Sequence, residues 1–527
     1  MTEIYDAVIV GGGHNALVAA AYLARAGRRA VVLERLDHLG GAAVSERPWE
    51  GVDARLSRYS YLVSLLPRTI IDDLDLRLDL RRRRYSSYTP DPADPTRGIL
   101  VDGGDGAATT ASFVRTTGDA REAERFAELS DRLLPLAGAV FPTVTEPLRR
   151  ESEMRALVRD GDLWESLVQR PLGGLLRSSL ESDIARGIAL TDGLIGTFAS
   201  ADDASLRQNR CFLYHVIGGG TGDWDVPVGG MGQVSGGLER TARAAGAELR
   251  TGAEVTSVDP DGAVTLADGT RVAGRLVLSG VGPAVLQRLL AAADGRKAGS
   301  IAAQAAPEGA QVKINLLLSR LPRLRDAAVH PEAAFGGTFH INETMTQLDA
   351  AHAAASAGRI PDPLPAEIYC HSLTDPSILG PELQASGAQT LTLFGLQVPH
   401  RLVTDAPDAD ALRDELLAAA QASLDSVLAE PIADVVYRAP DGSACIEART
   451  TADLEESLGM VGGDIFHGPL DWPWAGDDEP LETPAQRWGV ATEHARVLVC
   501  GSGARRGGAV SGIGGHNAAM AALELLG

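Results

Sequence analysis

Glycines near the start of the chain are spaced for binding a phosphate group. Gly11, Gly13 and Ala16 form a G-x-G-x-x-A pattern directly after the apolar run from Tyr5 to Val10. In such a pattern the first glycine permits a tight turn, the second lets the backbone approach a pyrophosphate, and the alanine lets a helix pack closely on a strand. The N-terminus of that helix offers free N–H groups and a partial positive charge to the phosphates. The alternative is a tight turn between strand and helix that binds nothing.

A carboxylate follows the glycines at the distance expected of a ribose-binding acid. The sequence predicts an alanine-rich helix over Asn15 to Ala26, stopped by Gly27, and a second strand over Ala30 to Leu33. Glu34 ends that strand, about 20 residues after the turn, where an acid can accept hydrogen bonds from ribose hydroxyls. Strand, helix, second strand and acid are all in place, so the sequence predicts a βαβ unit that binds a dinucleotide.

A second pair of glycines distinguishes between two dinucleotides. Glu34 is followed by Arg35 and, a few residues later, by Gly40, Gly41 and Ala42. This arrangement resembles the second glycine motif of the large FAD-binding family related to glutathione reductase and amine oxidases. In that family these glycines let the chain pass close to the pyrophosphate and flavin, and ordinary NAD dehydrogenases lack them. The resemblance implies FAD as the cofactor.

A glycine-rich stretch near the end of the chain is a second candidate for cofactor contact. The stretch from Cys500 to Ala519, CGSGARRGGAVSGIGGHNAA, holds too many glycines for a regular helix or strand. It lies between a strand predicted over Arg496 to Cys500 and a final helix predicted over His516 to Leu526. That helix offers another N-terminus to a cofactor. A glycine-rich loop without a ligand is the alternative.

Longer stretches resemble phytoene-desaturase-like flavoproteins. Asn15 stands beside the third position of the first glycine motif, as in that family. The other stretches that carry the likeness are PVGGMGQVSGGLERTARAAGAELRTGAEV (Pro227 to Val255), VKINLLLSRLP (Val312 to Pro322), GGDIFHGPLD (Gly462 to Asp471) and the C-terminal glycine-rich stretch. The likeness covers nearly the whole chain and is strongest to the branch of pyridine nucleotide-disulphide oxidoreductase domain-containing protein 2.

The resemblance implies an α/β fold in which a Rossmann-type FAD-binding domain is assembled from discontinuous segments, beside an α+β substrate-binding domain. The expected FAD-binding segments are residues 1–84, 227–300 and 456–527. Residues 85–226 are expected to form a mostly helical cap, and residues 301–455 a substrate-binding domain with a second sheet.

Hydrophobic periodicity predicts further elements within these segments. Helices are predicted over Ala120 to Ala139, Glu151 to Gln169, Val234 to Ala245 and Ala409 to Glu430. Strands are predicted over Ala247 to Val258, Ala263 to Ala267, Leu276 to Ser279, Val312 to Leu318 and Thr390 to Val398. Residues 350–366, rich in alanine and proline, are expected to form a surface loop.

The family likeness also assigns cofactor contacts. Val255 would meet the adenine through its backbone, and the C-terminal glycine-rich stretch would lie along the pyrophosphate, ribityl chain and flavin ring. The cofactor-binding residues predicted from motif and likeness together are Gly11, Gly13, Asn15, Ala16, Glu34, Arg35, Gly40, Gly41, Ala42, Val255, Gly501, Ser502, Gly512 and Asn517.

One departure from the family pattern concerns two arginines. Many relatives have Thr-His-Pro after the last Gly-Ser/Ala-Gly, whereas this chain has Ala504, Arg505 and Arg506. A guanidinium near a flavin would stabilise an anionic reduced ring or bind an acidic substrate. The alternative is that both side chains face solvent. The change argues against a carotenoid-type substrate.

Candidates for catalysis beyond the cofactor are few. His467 and His516 are the histidines best placed by motif to take up a proton, and Tyr59 lies where relatives bring chain under the flavin ring. Arg505 completes the set. A loop-fixing hydrogen bond for His467, a helix cap for His516 and core packing for Tyr59 are the respective alternatives.

Two motifs, a run of arginines and a glycine-containing segment, could each bind a ligand, and each also has a structural explanation without a ligand. The run Arg81 to Arg84 is expected to be a solvated face or to pair with the preceding aspartates Asp72, Asp73, Asp75 and Asp79, with a phosphate-binding patch as the minor alternative. GVGPAV (Gly280 to Val285) mimics a second dinucleotide fingerprint, but no strand ending in an acid follows. We interpret it as a decoy and expect no NAD(P)H domain.

Composition excludes several classes of function. The formal net charge is -22 and the pI about 4.9, so nucleic-acid binding is disfavoured, while docking on a membrane through a local apolar patch stays open. The four cysteines, Cys211, Cys370, Cys445 and Cys500, show neither a disulfide framework nor metal-ligand spacing. No metal site is expected. Without a signal peptide or a transmembrane run, we expect a cytoplasmic protein.

These observations favour an FAD-dependent oxidoreductase, a dehydrogenase, desaturase or oxidase that acts on a C–C or C–N bond of a hydrophobic or amphipathic small molecule. An amine or amino-acid oxidase is a second interpretation. A non-catalytic escort of the GDP-dissociation-inhibitor type, which shares the architecture, is a third. Retention of both glycine motifs and Glu34 favours an enzyme over an escort. The oligomeric state stays open.

Overall fold

The N-terminal stretch folds as the βαβ unit that the sequence predicts. In a computed structural model, which describes residues 4–293 and 307–527, strand β1 (Ile4–Val10), helix α1 (His14–Arg25) and strand β2 (Ala30–Leu33) follow one another. Strands β1 and β2 pair in parallel. Helix α1 is buried on nearly all sides because its alanines let neighbouring elements approach closely.

The remaining strands lie in two large sheets and two small ones. In chain order they are β3 (Ser45–Glu46), β4 (Leu56–Ser57), β5 (Leu80–Arg82), β6 (Tyr85–Asp91), β7 (Asp94–Asp102), β8 (Asp225–Pro227), β9 (Glu248–Arg250), β10 (Val255–Val258), β11 (Ala263–Leu266), β12 (Arg271–Ser279), β13 (Ala310–Leu318), β14 (Thr338–Ile341), β15 (Ala366–Tyr369), β16 (Gln389–Pro399), β17 (Ile446–Arg449) and β18 (Val497–Val499).

The first large sheet unites strands that lie far apart in the sequence. Its order is β10-β11-β12-β1-β2-β9, and β18 also pairs with β12. The pairs of β1 with β12 and β2, of β2 with β9 and of β12 with β18 are parallel, whereas β10, β11 and β12 pair antiparallel. The beginning, middle and end of the chain therefore build one Rossmann-type sheet. The predicted assembly from discontinuous segments is confirmed.

The second large sheet belongs to the α+β part of the fold. Its order is β17-β13-β16-β15-β14-β6-β7, and every pair is antiparallel except β14 with β6. One face of this sheet packs against a long helix through Leu412, Leu416 and Leu424. The two small sheets pair β3 with β4 and β5 with β8.

Helices cover both sheets and fill the region between them. After α1 they are α2 (Arg68–Asp73), α3 (Gly106–Thr117), α4 (Ala120–Val140), α5 (Glu151–Val158), α6 (Gly161–Trp164), α7 (Leu172–Ser179), α8 (Asp183–Leu190), α9 (Arg207–Val216), α10 (Gly232–Ala245), α11 (Pro283–Ala293), α12 (Pro331–Ala334), α13 (Met345–Ser356), α14 (His371–Thr374), α15 (Pro381–Ser386), α16 (His400–Thr404), α17 (Ala409–Val427), α18 (Thr451–Leu458), α19 (Pro484–Arg487) and α20 (Ile513–Leu526).

Some elements differ from the sequence predictions. The expected loop over residues 350–366 starts inside α13, because Thr344 caps that helix in a capping box with Gln347. The single helix predicted over Glu151 to Gln169 is interrupted, because Asp160 caps the new helix α6 by accepting from the N–H of Leu163 at 2.9 Å.

Two further expectations concern a segment boundary and membrane-spanning helices. The predicted segment boundary between residues 300 and 301 lies outside the described residues. Among residues 4–293 and 307–527, none of the helices combines the length and apolarity that crossing a bilayer requires.

Candidate cofactor and substrate site

A cavity of about 580 Å³ connects the two parts of the fold. One end is lined by the glycine turn after β1, and the other by side chains of the second sheet and of helix α4. We call the end beside the glycine turn the cradle and the other end the chamber. Because they are continuous, a molecule bound in the cradle can reach one bound in the chamber.

The cradle has open space beside Gly13. A Cβ atom added at Gly13 meets nothing within 4 Å, whereas one added at Gly12 would lie 2.4 Å from Cδ2 of Leu39. Gly13 is the N-cap of α1, and no side chain caps the helix there. The N–H groups of the first helical turn therefore face space that a phosphate can fill.

Glu34 holds the shape of the glycine turn. Its Oε2 accepts a hydrogen bond from the backbone N–H of Gly12 at 2.6 Å, and its Oε1 accepts one from that of Leu36 at 2.8 Å. The carboxylate also lines the cradle. Since a carboxylate offers about four acceptor positions, Glu34 retains capacity for ribose hydroxyls while ordering the loop.

The opposite wall of the cradle comes from β12 and β18. Gly280 donates its N–H to the carbonyl of Val10 at 2.8 Å, and Cys500 donates to that of Ser279 at 2.8 Å. These bonds bring residues 280–282 and the pair Gly501–Ser502 to the cavity surface. The segment interpreted as a decoy thus lines the same cradle as the first glycine motif.

Buried polar atoms without partners point into this region. Asn15 donates from Nδ2 to Oγ of Ser502 at 3.3 Å, but within the described part of the chain its Oδ1 has no hydrogen-bond partner, nor has Nε2 of His14. Both residues are buried and line the cavity. Buried polar groups normally have partners. The residues of the cradle therefore fit a polar dinucleotide such as FAD.

Two of the predicted catalytic residues, Tyr59 and His467, line the cavity. His467 adopts a left-handed backbone conformation, with φ of 63°, and its N–H donates to the carbonyl of Asp464 at 3.0 Å. Burial lowers the pKa of His467 to about 4 and, together with the nearby His467, that of His14 to about 4. Both imidazoles are therefore neutral near pH 7 and are weak proton acceptors.

The structure places Arg505 away from the cavity lining, which corrects the prediction that one of the two C-terminal arginines faces flavin or substrate. Arg505 pairs with Asp471 at 3.0 Å and with Glu479 at 2.7 Å. Arg506 is 1% exposed, and it donates to the backbone carbonyls of Thr143, Glu146 and Trp488. Neither arginine faces solvent freely either, because each holds the glycine-rich stretch against neighbouring loops.

His516 and Asn517 also lie outside the lining, because α20 begins earlier than predicted, at Ile513. The His516 ring packs edge-on against Tyr22, with 5.1 Å between centroids, and its Nδ1 is 2.9 Å from Oδ1 of Asn517. Asn517 donates to the carbonyl of Val144 at 3.1 Å. Both side chains fasten α20 to its neighbours.

The predicted cofactor residues divide into two groups. Those that the fold brings to the cavity surface are Gly11, Gly13, Asn15, Ala16, Glu34, Gly41, Ala42, Gly501 and Ser502. Those outside that lining are Arg35, Gly40, Val255, Gly512 and Asn517. Arg35 is exposed and donates to the carbonyl of Ser457 at 2.6 Å, and Gly40 forms a bridge with Gly13 behind the surface.

The walls of the chamber are mainly aromatic and aliphatic. The lining includes Phe126 and Leu129 of α4, Phe212 of α9 and Phe394 of β16, together with Tyr61 and Trp224 from loops. Trp224 belongs to this lining, whereas Trp474 packs on Trp164 with 4.8 Å between ring centroids. Such walls suit an apolar or amphipathic molecule.

A polar cluster belongs to the lining of the chamber. Glu367 accepts hydrogen bonds from the hydroxyl of Tyr369 at 2.5 Å and from that of Thr191 at 3.1 Å. Burial raises the pKa of Glu367 to about 7 and that of Asp192 to about 7. Both carboxyl groups line the chamber.

The arginine run contributes one side chain to this cluster. Arg81, Arg82 and Arg84 pair with Asp79, Asp225 and Asp102 at 3.6, 2.7 and 2.9 Å, so only the first uses one of the predicted aspartates. Arg83 turns inward and lines the chamber, where its Nε has no partner and burial lowers its pKa. The solvated-face interpretation therefore holds for its neighbours and is wrong for Arg83.

Sequence reasoning missed most of this cluster. Asp192, His340 and Glu367 are far apart in the chain and belong to no motif, and Arg83 belongs to a run whose sequence does not show which arginine turns inward. The one available signal was a glutamate inside the short apolar strand AEIY, where a charged residue needs a reason to be buried.

Comparisons with known proteins give a matching family model and two similar chains. A family model described as "NAD(P)-binding Rossmann-like domain" matches residues 9–70. An uncharacterized protein of Mycobacterium tuberculosis is 53% identical, over 99% of this chain and 97% of its own length. Pyridine nucleotide-disulfide oxidoreductase domain-containing protein 2 of Rattus norvegicus is 30% identical, over 98% of this chain and 92% of its own.

Solved structures share the fold at lower identity. A putrescine oxidase variant superposes with a TM-score of 0.62 at 17% identity, covering 100% of both chains. Cyclohexylamine oxidase from Brevibacterium oxydans gives 0.57 at 15% identity, covering 99% of this chain and 98% of its own. The chain therefore has the fold of the FAD-dependent oxidoreductases and belongs to the family of pyridine nucleotide-disulfide oxidoreductase domain-containing protein 2.

Proposed function

We propose that this protein is an FAD-dependent oxidoreductase that removes hydride from a C–C or C–N bond of a hydrophobic or amphipathic small molecule. The observation that carries the proposal is the continuous cavity, in which the glycine cradle opens directly into an aromatic chamber. A reacting bond can thus be held against a cofactor in a site shielded from water.

The chain's residues would hold FAD through complementary contacts. The first turn of α1 and the open space beside Gly13 accommodate the pyrophosphate, and Glu34 accepts from ribose hydroxyls. Asn15 and His14 supply polar atoms that lack partners within the chain. When bound, FAD supplies the hydride-accepting chemistry.

The chamber would select and orient the substrate. Tyr61, Phe394 and Trp224 offer flat apolar surfaces, and Arg83 with Glu367 offers polar contacts. His467 and Tyr59 are our candidates for contact with the reacting end. Because burial keeps His467 neutral, it can position a substrate by hydrogen bonding without adding charge. Reduced flavin would pass its electrons to oxygen, a quinone or another acceptor.

An amine oxidase is the second candidate function. The carboxyl groups of Asp192 and Glu367 line the chamber, and carboxylates bind ammonium groups. Putrescine oxidase and cyclohexylamine oxidase share the fold. In this version the bond oxidised is C–N, and an ammonium group of the substrate pairs with the carboxylates of the polar cluster.

The experiment is spectroscopic. We expect purified protein to be yellow and to release FAD into solution on acid precipitation, because Cys500 is fully buried and does not line the cavity. Anaerobic mixing with panels of amines, alcohols, and saturated or unsaturated lipids should bleach the flavin with one class. Bleaching by amines alone would select the second candidate.

Two results would count against the proposal. Protein that stays colourless after reconstitution with FAD would favour a non-catalytic binding function. Bound flavin that dithionite reduces, but that no member of a broad panel reduces, would leave the fold without the proposed activity. His467→Asn and Tyr59→Phe variants should keep bound FAD and change the rate of bleaching.

A further inference from the structure

Three buried side chains converge where the second sheet meets the chamber. His340 on β14 stands directly opposite Glu367 on β15 in the antiparallel register, so both side chains project from the same face. Asn342, with φ of 58°, turns the chain after β14 and brings Glu343 to the same place. One ligand atom from each of His340, Glu343 and Glu367 lies within 4.8 Å of the others.

Glu343 is the anomaly in this group. It is 0% exposed, and among residues 4–293 and 307–527 neither Oε1 nor Oε2 has a hydrogen-bond partner. A buried carboxyl group without partners is strongly disfavoured, and in native proteins such groups are rare. Thr191 is a neighbouring hydroxyl that interacts with Glu343 but donates its hydrogen bond to Glu367, so a cation or donor from outside the chain would satisfy the Glu343 carboxylate.

The charged side chains around Glu343 indicate whether that partner is a cation or an anion. Three buried carboxyl groups, Asp192, Glu343 and Glu367, face one another, and Arg83 is the positively charged side chain that interacts with the group. Ionised, these side chains carry three negative charges against one positive charge. A divalent cation would make the cluster neutral.

We infer that His340, Glu343 and Glu367 bind a divalent transition-metal ion, Mn²⁺ or Zn²⁺, at the floor of the chamber. Two ligand atoms of one such ion are at most about 4–4.6 Å apart, since metal–ligand distances are about 2.0–2.3 Å. The three ligand atoms here lie within 4.8 Å of one another, close to that limit. One imidazole and two carboxylates form a borderline-to-hard ligand set that suits these metals.

Neighbouring hydroxyl groups orient two of the ligands. Thr89 Oγ1 is 3.1 Å from Nδ1 of His340, which leaves Nε2 for the metal, and the hydroxyls of Thr191 and Tyr369 donate to Glu367. Such contacts are common around metal ligands. His340 and Glu367 also line the cavity, so the ion has an entry path and can keep coordination positions open toward the chamber.

The test is metal binding by the intact protein, with or without its flavin, so it does not depend on the proposed oxidoreductase activity. Chelator-treated and dialysed protein should bind one Mn²⁺ per chain in calorimetric titration, and Zn²⁺ should displace it. Pulsed EPR of the Mn²⁺ form should show modulation from a nitrogen ligand, which reports His340 without any substitution.

Variants sharpen the assignment. Glu343→Gln should weaken Mn²⁺ binding at least tenfold, since it removes the anionic ligand and keeps the side-chain volume. Glu122→Gln is the matched control, because Glu122 is also buried but has partners in the N–H groups of Glu181 and Ser182. It should leave metal affinity unchanged.

Three outcomes would overturn the inference. They are the absence of stoichiometric Mn²⁺ and Zn²⁺ binding by folded protein, a Mn²⁺ signal without nitrogen modulation, and equal affinity in the parent and Glu343→Gln. The first would indicate that Glu343 and Glu367 share a proton instead.

Discussion

Replacing Gly13 by alanine separates cofactor binding from folding. The backbone of Gly13, with φ of -68° and ψ of 168°, is in an extended conformation that alanine adopts freely. The added methyl group meets no atom of the protein within 4 Å. The apoprotein should therefore fold with nearly unchanged stability, while the methyl group occupies the space that the pyrophosphate needs.

The size of the effect follows from packing energetics. Forcing a methyl group into an occupied space costs about 1–3 kcal/mol, so FAD affinity should fall about 5- to 150-fold. Apoprotein stability should change by less than about 1 kcal/mol, since the weaker N-cap preference of alanine and the smaller entropy of its unfolded chain act in opposite directions.

The assay pairs two measurements on deflavinated protein, fluorescence titration with FAD and urea unfolding. Gly174→Ala is the matched control, because this exposed glycine inside α7 also has no atom near its added Cβ. Its FAD affinity should equal that of the parent. Gly12→Ala is the opposite control and should disturb folding, because its Cβ would lie 2.4 Å from Leu39.

The reasoning would be refuted by a Gly13→Ala protein that binds FAD as tightly as the parent. In that case the pyrophosphate does not pass Gly13, and the cradle would not be the FAD site. A variant that loses stability without FAD would instead show that the space beside Gly13 is filled in the folded apoprotein.

Three further results are expected. Glu34→Ala should reduce FAD affinity about tenfold to hundredfold and also destabilise the apoprotein by about 1–3 kcal/mol, because its carboxylate holds the N–H of Gly12; unchanged titration and unfolding curves would contradict this. Arg506→Met should lower the free energy of unfolding by about 3–5 kcal/mol, since three backbone carbonyls lose their donor, and flavin potentiometry should show no shift; a changed potential would restore a flavin contact. Stability should fall as pH drops from about 6.5 toward 4, because burial holds the pKa of His14, His215 and His467 at about 4 and the unfolded chain binds these protons first. Each histidine contributes up to about 1.4 kcal/mol per pH unit in that window, and urea unfolding of His215→Gln should show a shallower pH dependence than the parent.

The cofactor side of the fold could be predicted because its signals are local. Gly11, Gly13 and Glu34 lie within one βαβ unit, where each residue type answers a specific need of backbone geometry or hydrogen bonding. The strand before Gly501 is apolar and short, so its burial in the sheet also followed from pattern alone. The structure confirms that these separated pieces meet in one sheet.

The chamber could not be predicted, because tertiary contacts alone assemble it. Arg505 and Arg83 show the difficulty: both belong to arginine pairs or runs, yet one forms ion pairs outside the cavity and the other lines it. Neither the charge of an arginine nor its spacing in the sequence distinguishes a side chain that lines the cavity from one that lies outside it. Which of them turns inward depends on the tertiary placement of acidic partners for the neighbouring arginines, such as Asp225 for Arg82.

The order of strands in the first sheet has a consequence for the nascent chain. The cradle contains Gly11 and Ser502, and β12 has neighbours from both ends of the sequence. At about 5–20 residues per second, ribosomes need roughly 25–100 s to synthesise the roughly 500 residues in between. During that time the apolar α1 waits without its C-terminal packing partner, α20. We therefore expect FAD uptake to be a post-translational step, and chaperones that shield early apolar helices to influence how much cofactor-loaded protein a cell obtains.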